Sequence, residues 1–158
     1  MRVSFDIDDT LVLRGGQRID GDGLLPDWFL KRMCEPLRAG SRKLFHELKQ
    51  QEHEVWIYTS SLRSTFHIRY WLALHGIRAD GIVNDDIHRA RLEEMNFEET
   101  PSKYPPAFGI DLHVDDSPGV EMEGKRLGFR VLVVAQDDAD WTEKVVNALS
   151  SSLKNTGH

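Results

Sequence analysis

Cysteine is nearly absent: Cys34 is the only one in a chain of 158 residues. That excludes an intramolecular disulfide framework and any zinc site built on clustered cysteines. Long apolar runs are missing as well. Nothing approaches the roughly 18 residues of a membrane span, and Arg2 and Asp6 stand where a secretory leader needs an apolar stretch. Cationic excess is also lacking, since 20 Lys plus Arg face 26 Asp plus Glu, a formal charge of −6. A general nucleic-acid binder needs a cationic face to displace phosphate counterions, so the balance argues against that class. A small phosphorylated substrate stays compatible if a bound divalent cation cancels the repulsion. What is present, 40% hydrophobic and 29% charged residues, is an ordinary globular mixture. The expectation is a soluble, cytoplasmic, single-domain protein over residues 1–158, without membrane association.

Short β-rich apolar runs alternate with helical patterns, the signature of βαβ units and a parallel sheet. Strands are expected at Val3–Ile7, Val55–Tyr58, Gly81–Asn84, Leu112–Val114 and Phe129–Val134. Helices are expected at Trp28–Met33, Ser41–Gln50 with Ser41 as N-cap, Ser64–His75 stopped by Gly76, the start of His88–Glu99, and Trp141–Leu153. Gly15, Gly16, Gly21 and Gly23, closed by Pro26, mark a loop or flap over about residues 11–40. Pro101, Pro105 and Pro106 mark another loop. The fold these imply is a three-layer α/β/α sandwich on a five-stranded parallel, Rossmann-like sheet.

Ligands of open parallel sheets bind beyond the carboxyl ends of the strands. Three of the five expected ends carry unusual polar chemistry: Asp6-Ile7-Asp8-Asp9-Thr10, Thr59-Ser60-Ser61 and Asp115-Asp116-Ser117. A spacing of two on extended chain sends the Asp6 and Asp8 side chains to one side. Carboxylates held so close repel unless a cation, a proton or hydrogen bonds compensate. With Asp115 and Asp116 they form a set of hard oxygen donors of the kind that Mg²⁺ takes. Asp-rich strand ends often serve only as caps and turns, and Asp85-Asp86 and Asp137-Asp138 fit that role. With 15 Asp and 6 Thr in the chain, chance yields a D-x-D-x-T pattern about one time in twenty. Its place at the end of an apolar run, with polar ends on two further strands, favours a site.

Phe5-Asp6-Ile7-Asp8-Asp9-Thr10-Leu11 resembles the first motif of the haloacid dehalogenase-like (HAD) superfamily in its D-x-D-x-T phosphatase form. Tyr58-Thr59-Ser60 resembles the second motif and Val114-Asp115-Asp116-Ser117-Pro118 the acidic fourth. Lys103 is the candidate for the third-motif lysine. The resemblance runs over about residues 3–134 and is to capless or minimally capped members, because the flap is too short for a large helical cap. It implies Asp6 as a nucleophile forming an aspartyl-phosphate and Asp8 as general acid, then general base. It implies Thr59 and Ser60 with their backbone N–H groups on phosphate, and Lys103 as a point charge beside Asp6 and phosphate. Mg²⁺ would be held by Asp6, Asp8, Asp115 and Asp116, with Asp116 favoured as direct ligand and Asp115 as partner to water or lysine. Thr10 would hold the Asp8 loop in shape. The implied substrate is a phosphorylated small molecule or a phosphoprotein. The alternatives are a phosphotransferase and a catalytically silent binding or scaffold domain; dehalogenation is disfavoured because halide departure has no need of Asp8.

The remaining polar residues carry less. His46, His53, His67, His75 and His88 lack ligand spacing and read as surface or satisfied core positions, whereas His113 lies in the fourth strand beside the site. Arg63, His67 and Arg14 read first as exposed charges, with substrate contact as the second reading. Trp28 and Phe29 are expected to pack on the core, and Cys34 to be a small buried hydrophobe.

Overall fold

A computed structural model describes residues 1–14, 25–33 and 35–155. The flap glycines Gly15, Gly16, Gly21 and Gly23 and the expected burial of Cys34 lie outside the described residues. The strands are β1 (Arg2–Phe5), β2 (Glu54–Tyr58), β3 (Gly81–Val83), β4 (Leu112–Asp115) and β5 (Val131–Val133). All pair in parallel, in the order β3-β2-β1-β4-β5. The helices are α1 (Asp27–Met33), α2 (Ser41–Gln50), α3 (Thr65–Leu74), α4 (Asp85–Glu94), α5 (Pro118–Leu127) and α6 (Trp141–Asn155), with a 3₁₀ turn at Pro105–Phe108. This is the three-layer, five-stranded parallel architecture expected from the sequence. No helix among the described residues is long and apolar enough to cross a membrane.

Alternation along the strands makes the two faces of the sheet chemically different. Val3, Phe5, Val55, Ile57, Leu112 and Val114 join one apolar cluster with Leu44 and Leu48 of α2, Ile68 and Leu72 of α3, and Val145 and Leu149 of α6. Burying some ten such side chains at about 1.5–3 kcal/mol each makes this layer the main source of stability. The opposite face presents Ser4, Tyr58 and His113, all fully buried, toward α4 and the 3₁₀ turn, and is held by hydrogen bonds as much as by apolar contact.

Helix ends explain most departures from the sequence expectations. Gly40, in a left-handed turn at φ +86°, precedes α2, so Ser41 is its first helical residue and not its cap. Ser64 caps α3 by accepting the His67 N–H at 3.1 Å. Asn84 does the same for α4 from Ile87 N–H at 3.1 Å, so that helix begins at Asp85, three residues before the expected His88. Asp85 and Asp86 then lie in its first turn, where the helix dipole favours carboxylates. Helix α5 was not expected, because only Val120 and Gly124 of its ten residues are buried. Pro118 at its start and left-handed Gly128 at its end were the available signals. Trp28 is 69% exposed and does not pack on the core.

Candidate active site

The register sets the site. Phe5 lies opposite Ile57 on one side and Val114 on the other. One residue further, Asp6 therefore stands level with Tyr58 and Asp115 at the carboxyl edge of the sheet. Asp6 is buried, and its N–H donates to the Val114 carbonyl at 2.9 Å. The buried Lys103 reaches it from the loop before the 3₁₀ turn. Its Nζ donates to Asp6 Oδ1 at 2.9 Å and to Asp115 Oδ2 at 3.2 Å.

Asp115 is engaged by three protein donors. Oδ2 also lies 2.9 Å from His113 Nε2, and Oδ1 accepts the Ser117 N–H at 2.9 Å. Burial pulls His113 down to about 4, so its imidazole is neutral at pH 7. Nε2–H then donates to Asp115, and Nδ1 accepts from the Ser4 hydroxyl at 2.8 Å. Burial by itself would raise Asp115, but the bond from His113 and the charge of Lys103 outweigh it and hold the carboxyl well below its ordinary range. Asp6 is shifted the other way. Burial raises it to about 6 against the pull of Lys103, and the nearby Asp115 charge adds to the rise. Asp116 is also raised, by burial and then by Asp115.

Asp6, Asp115 and Asp116 each offer a carboxylate oxygen, and these oxygens lie within 4.8 Å of one another. Three hard donors in so small a volume, two of them raised, fit a divalent cation of the Mg²⁺ type. Because both Asp115 oxygens already accept hydrogen bonds, the donors best placed to receive one are those of Asp6 and Asp116.

Asp8 sits on the loop leaving β1. That loop is shaped by its backbone: the Ile7 carbonyl accepts N–H groups from Leu11 at 3.0 Å and Val12 at 2.8 Å, and Asp9 adopts φ +61°. Thr10 takes part through its N–H, 3.3 Å from the same carbonyl, while its buried hydroxyl has no partner among the described residues. Arg63 holds the Asp8 carboxylate through Nη1 at 3.0 Å and Nη2 at 3.2 Å, and Nη2 also meets Glu35 at 2.9 Å. The Glu35 carbonyl is pinned by Trp71 Nε1 at 2.8 Å and lies 3.0 Å from His75 Nε2, which ties the end of the flap to α3. Arg14 stands 3.8 Å from Asp8 and is mostly exposed. Arg63, read first as a surface charge, thus belongs to the site through Asp8.

Thr59 is buried at the end of β2, its Oγ1 accepting the Ser61 N–H at 3.1 Å and its own N–H donating to Val83 at 2.9 Å. Ser60 is exposed, with its hydroxyl 3.5 Å from the Ser102 carbonyl. A groove of about 880 Å³ between α4 and the following loop opens beside these two serines. The structure therefore brings Asp6, Lys103, Asp115 and Asp116 into one cluster, with Asp8 and Thr59 on the adjoining strand ends. Tyr58 stands beneath Lys103, whose Nζ is 5.6 Å from the centroid of its ring, and His88, expected only as a surface or satisfied core position, packs against Tyr58.

No family model matches the chain, and no curated protein matches it. Among solved structures, the chain is similar to one described as a predicted HAD-like family hydrolase from Porphyromonas gingivalis. The alignment covers 94% of this chain and 97% of that one, at 11% identity and a TM-score of 0.49.

Proposed function

We propose that this protein is a Mg²⁺-dependent phosphatase of the HAD type, hydrolysing a phosphomonoester through an aspartyl-phosphate on Asp6. The observation that carries the reading is Lys103, buried between Asp6 and Asp115 with Asp116 beside them. A structural salt bridge needs one carboxylate, not three, and leaving carboxylates raised by burial costs stability unless a ligand uses them.

Lys103 occupies Asp6 Oδ1, so Oδ2 is the oxygen presented to phosphorus. Its attack forms the O–P bond as the ester O–P bond breaks, and Asp8, having turned from the Arg63 fork and taken up a proton from solvent, gives that proton to the departing oxygen. Asp8 then takes a proton from water, whose oxygen attacks phosphorus and frees Asp6 and inorganic phosphate. Such acid–base work contributes about 10²–10⁴-fold. Asp6 and Asp116 carboxylates and the Asp8 main-chain carbonyl would hold Mg²⁺, which supplies the positive charge that lets a carboxylate approach a phosphate dianion. Thr59 and the Ser60 N–H receive phosphate oxygens, and Lys103 neutralises both reactants. The substrate class is a phosphorylated small molecule or a phosphoprotein, since the flap is too short for a helical cap.

The test is hydrolysis of p-nitrophenyl phosphate with Mg²⁺ and with EDTA, by native protein and by Asp6→Asn. Activity that requires Mg²⁺ and is lost in the variant supports the reading. Absence of activity together with failure to bind Mg²⁺ and beryllium fluoride sinks it and leaves a binding domain.

A further inference from the structure

The Lys103 loop is gripped on both sides by one pair of buried side chains. The Tyr58 hydroxyl accepts the Tyr104 N–H at 2.8 Å and lies 2.6 Å from His88 Nδ1. His88 Nε2 lies 2.9 Å from the Pro101 carbonyl. A carbonyl can only accept, so Nε2 carries the proton, and burial keeps the imidazole neutral. Nδ1 is then the acceptor for the Tyr58 O–H. The chain of donors is complete: Tyr104 N–H to Tyr58 oxygen, Tyr58 O–H to His88 Nδ1, His88 Nε2–H to Pro101 carbonyl. Pro101 lies two residues before Lys103 and Tyr104 one after. The pair is anchored on the end of β2 and the first turns of α4, whereas the polar tethers of Ser102, to Ser60 and to Glu123, are exposed.

We propose that Tyr58 and His88 are positioning residues that clamp the Lys103 loop and thereby fix the Lys103 ammonium on Asp6. This rests on the phosphatase reading for its kinetic consequence but not for its structural one. Neither residue touches the reacting atoms. Removing the phenol oxygen leaves the Tyr104 N–H and His88 Nδ1 without partners in a buried layer, and the loop carrying Lys103 loses its register. Misplacing a charged group by about 1 Å can cost on the order of 10²-fold in rate.

Two readouts test this. The first needs no activity. Native Lys103 is 2% exposed, so acetylation by N-hydroxysuccinimide acetate, mapped by peptide mass, should be slow at Lys103. It should accelerate at least about tenfold in Tyr58→Phe and His88→Leu, with His88→Gln, which keeps a donor toward Pro101, lying closer to native. The second is a double-mutant cycle on p-nitrophenyl phosphate. Tyr58→Phe should lower kcat about 10- to 100-fold alone and less than about twofold in a Lys103→Met background. A folded Tyr58→Phe with native Lys103 shielding overturns the clamp, and so does an effect that multiplies undiminished with Lys103→Met. If the native protein proves inactive, or Asp6→Asn stays active, the phosphatase reading fails while the acetylation arm still decides the clamp.

Discussion

Arg63 grips Asp8 with both terminal nitrogens, Nη1 to Oδ2 at 3.0 Å and Nη2 to Oδ1 at 3.2 Å. The fork fixes the carboxylate in plane and direction, which a point charge does not do. With Asp8 as the proton donor and acceptor, its aim matters more than its stability contribution, because a partly exposed pair is worth only about 1 kcal/mol or less. Arg63→Lys should lower kcat on p-nitrophenyl phosphate about tenfold and Arg63→Ala about 100-fold, with Tm nearly unchanged. Native turnover in Arg63→Ala would show that Arg63 does not set the aim of Asp8.

Asp115 and Asp116 are adjacent in sequence and opposite in environment. Asp115 accepts hydrogen bonds on both oxygens from Lys103, His113 and Ser117, while the Asp116 carboxyl is raised by burial and by Asp115. Asp116→Asn should therefore raise the Mg²⁺ concentration for half-maximal activity more than tenfold and leave folding intact. Asp115→Asn should act chiefly on stability, by roughly 3 kcal/mol in urea unfolding, because it breaks a buried charge network from one side. Equal Mg²⁺ titrations for the two variants would refute the division.

The carboxylates were legible because an apolar run that stops on Asp-x-Asp is abnormal for a strand that merely turns. Lys103 was legible only through chain order, since a lone lysine in a proline-rich loop has no pattern. The Tyr58–His88 pair left no trace at all: the partners are thirty residues apart, on a strand and a helix that meet only through tertiary packing. The same holds for Arg63 and Asp8, whose pairing depends on how the β1 and β2 loops stand side by side. Helix α5 escaped because a helix covering a short edge strand needs few apolar residues, and two buried positions make no periodicity.

Gly124 marks the close approach of α5 to the turn into β5. A Cβ there would lie 2.7 Å from the Phe129 carbonyl oxygen and 3.0 Å from Val131 Cγ2. Helix propensity alone favours alanine by about 1 kcal/mol, but a backbone carbonyl cannot step aside as a flexible side chain does. Gly124→Ala should therefore destabilise, by about 1–3 kcal/mol in urea unfolding. A gain in stability would show that α5 shifts freely on the sheet.

Asp6 is a carboxylate whose ionisation the fold resists, and this has a pH signature. Burial raises it from 3.8 to about 6, so between those values the folded chain holds a proton that the unfolded chain has released. Its contribution to stability is fully present below 3.8 and is lost as pH climbs through 6. His113 has the opposite sign: burial lowers it from 6.5 to about 4, so its contribution is present above 6.5 and is lost as pH falls through 4. In the native protein the two slopes oppose each other over most of that window, and Asp6→Asn removes the Asp6 slope while leaving that of His113 in place. In EDTA, the Tm of Asp6→Asn minus that of native protein should accordingly increase from pH 4 to pH 7. Adding Mg²⁺ at pH 7 should raise the native Tm and move the variant's far less, since a cation that binds only the folded carboxylates stabilises only the chain that has them. A Tm difference that stays constant with pH would show that Asp6 ionises in the folded chain as it does in the unfolded one.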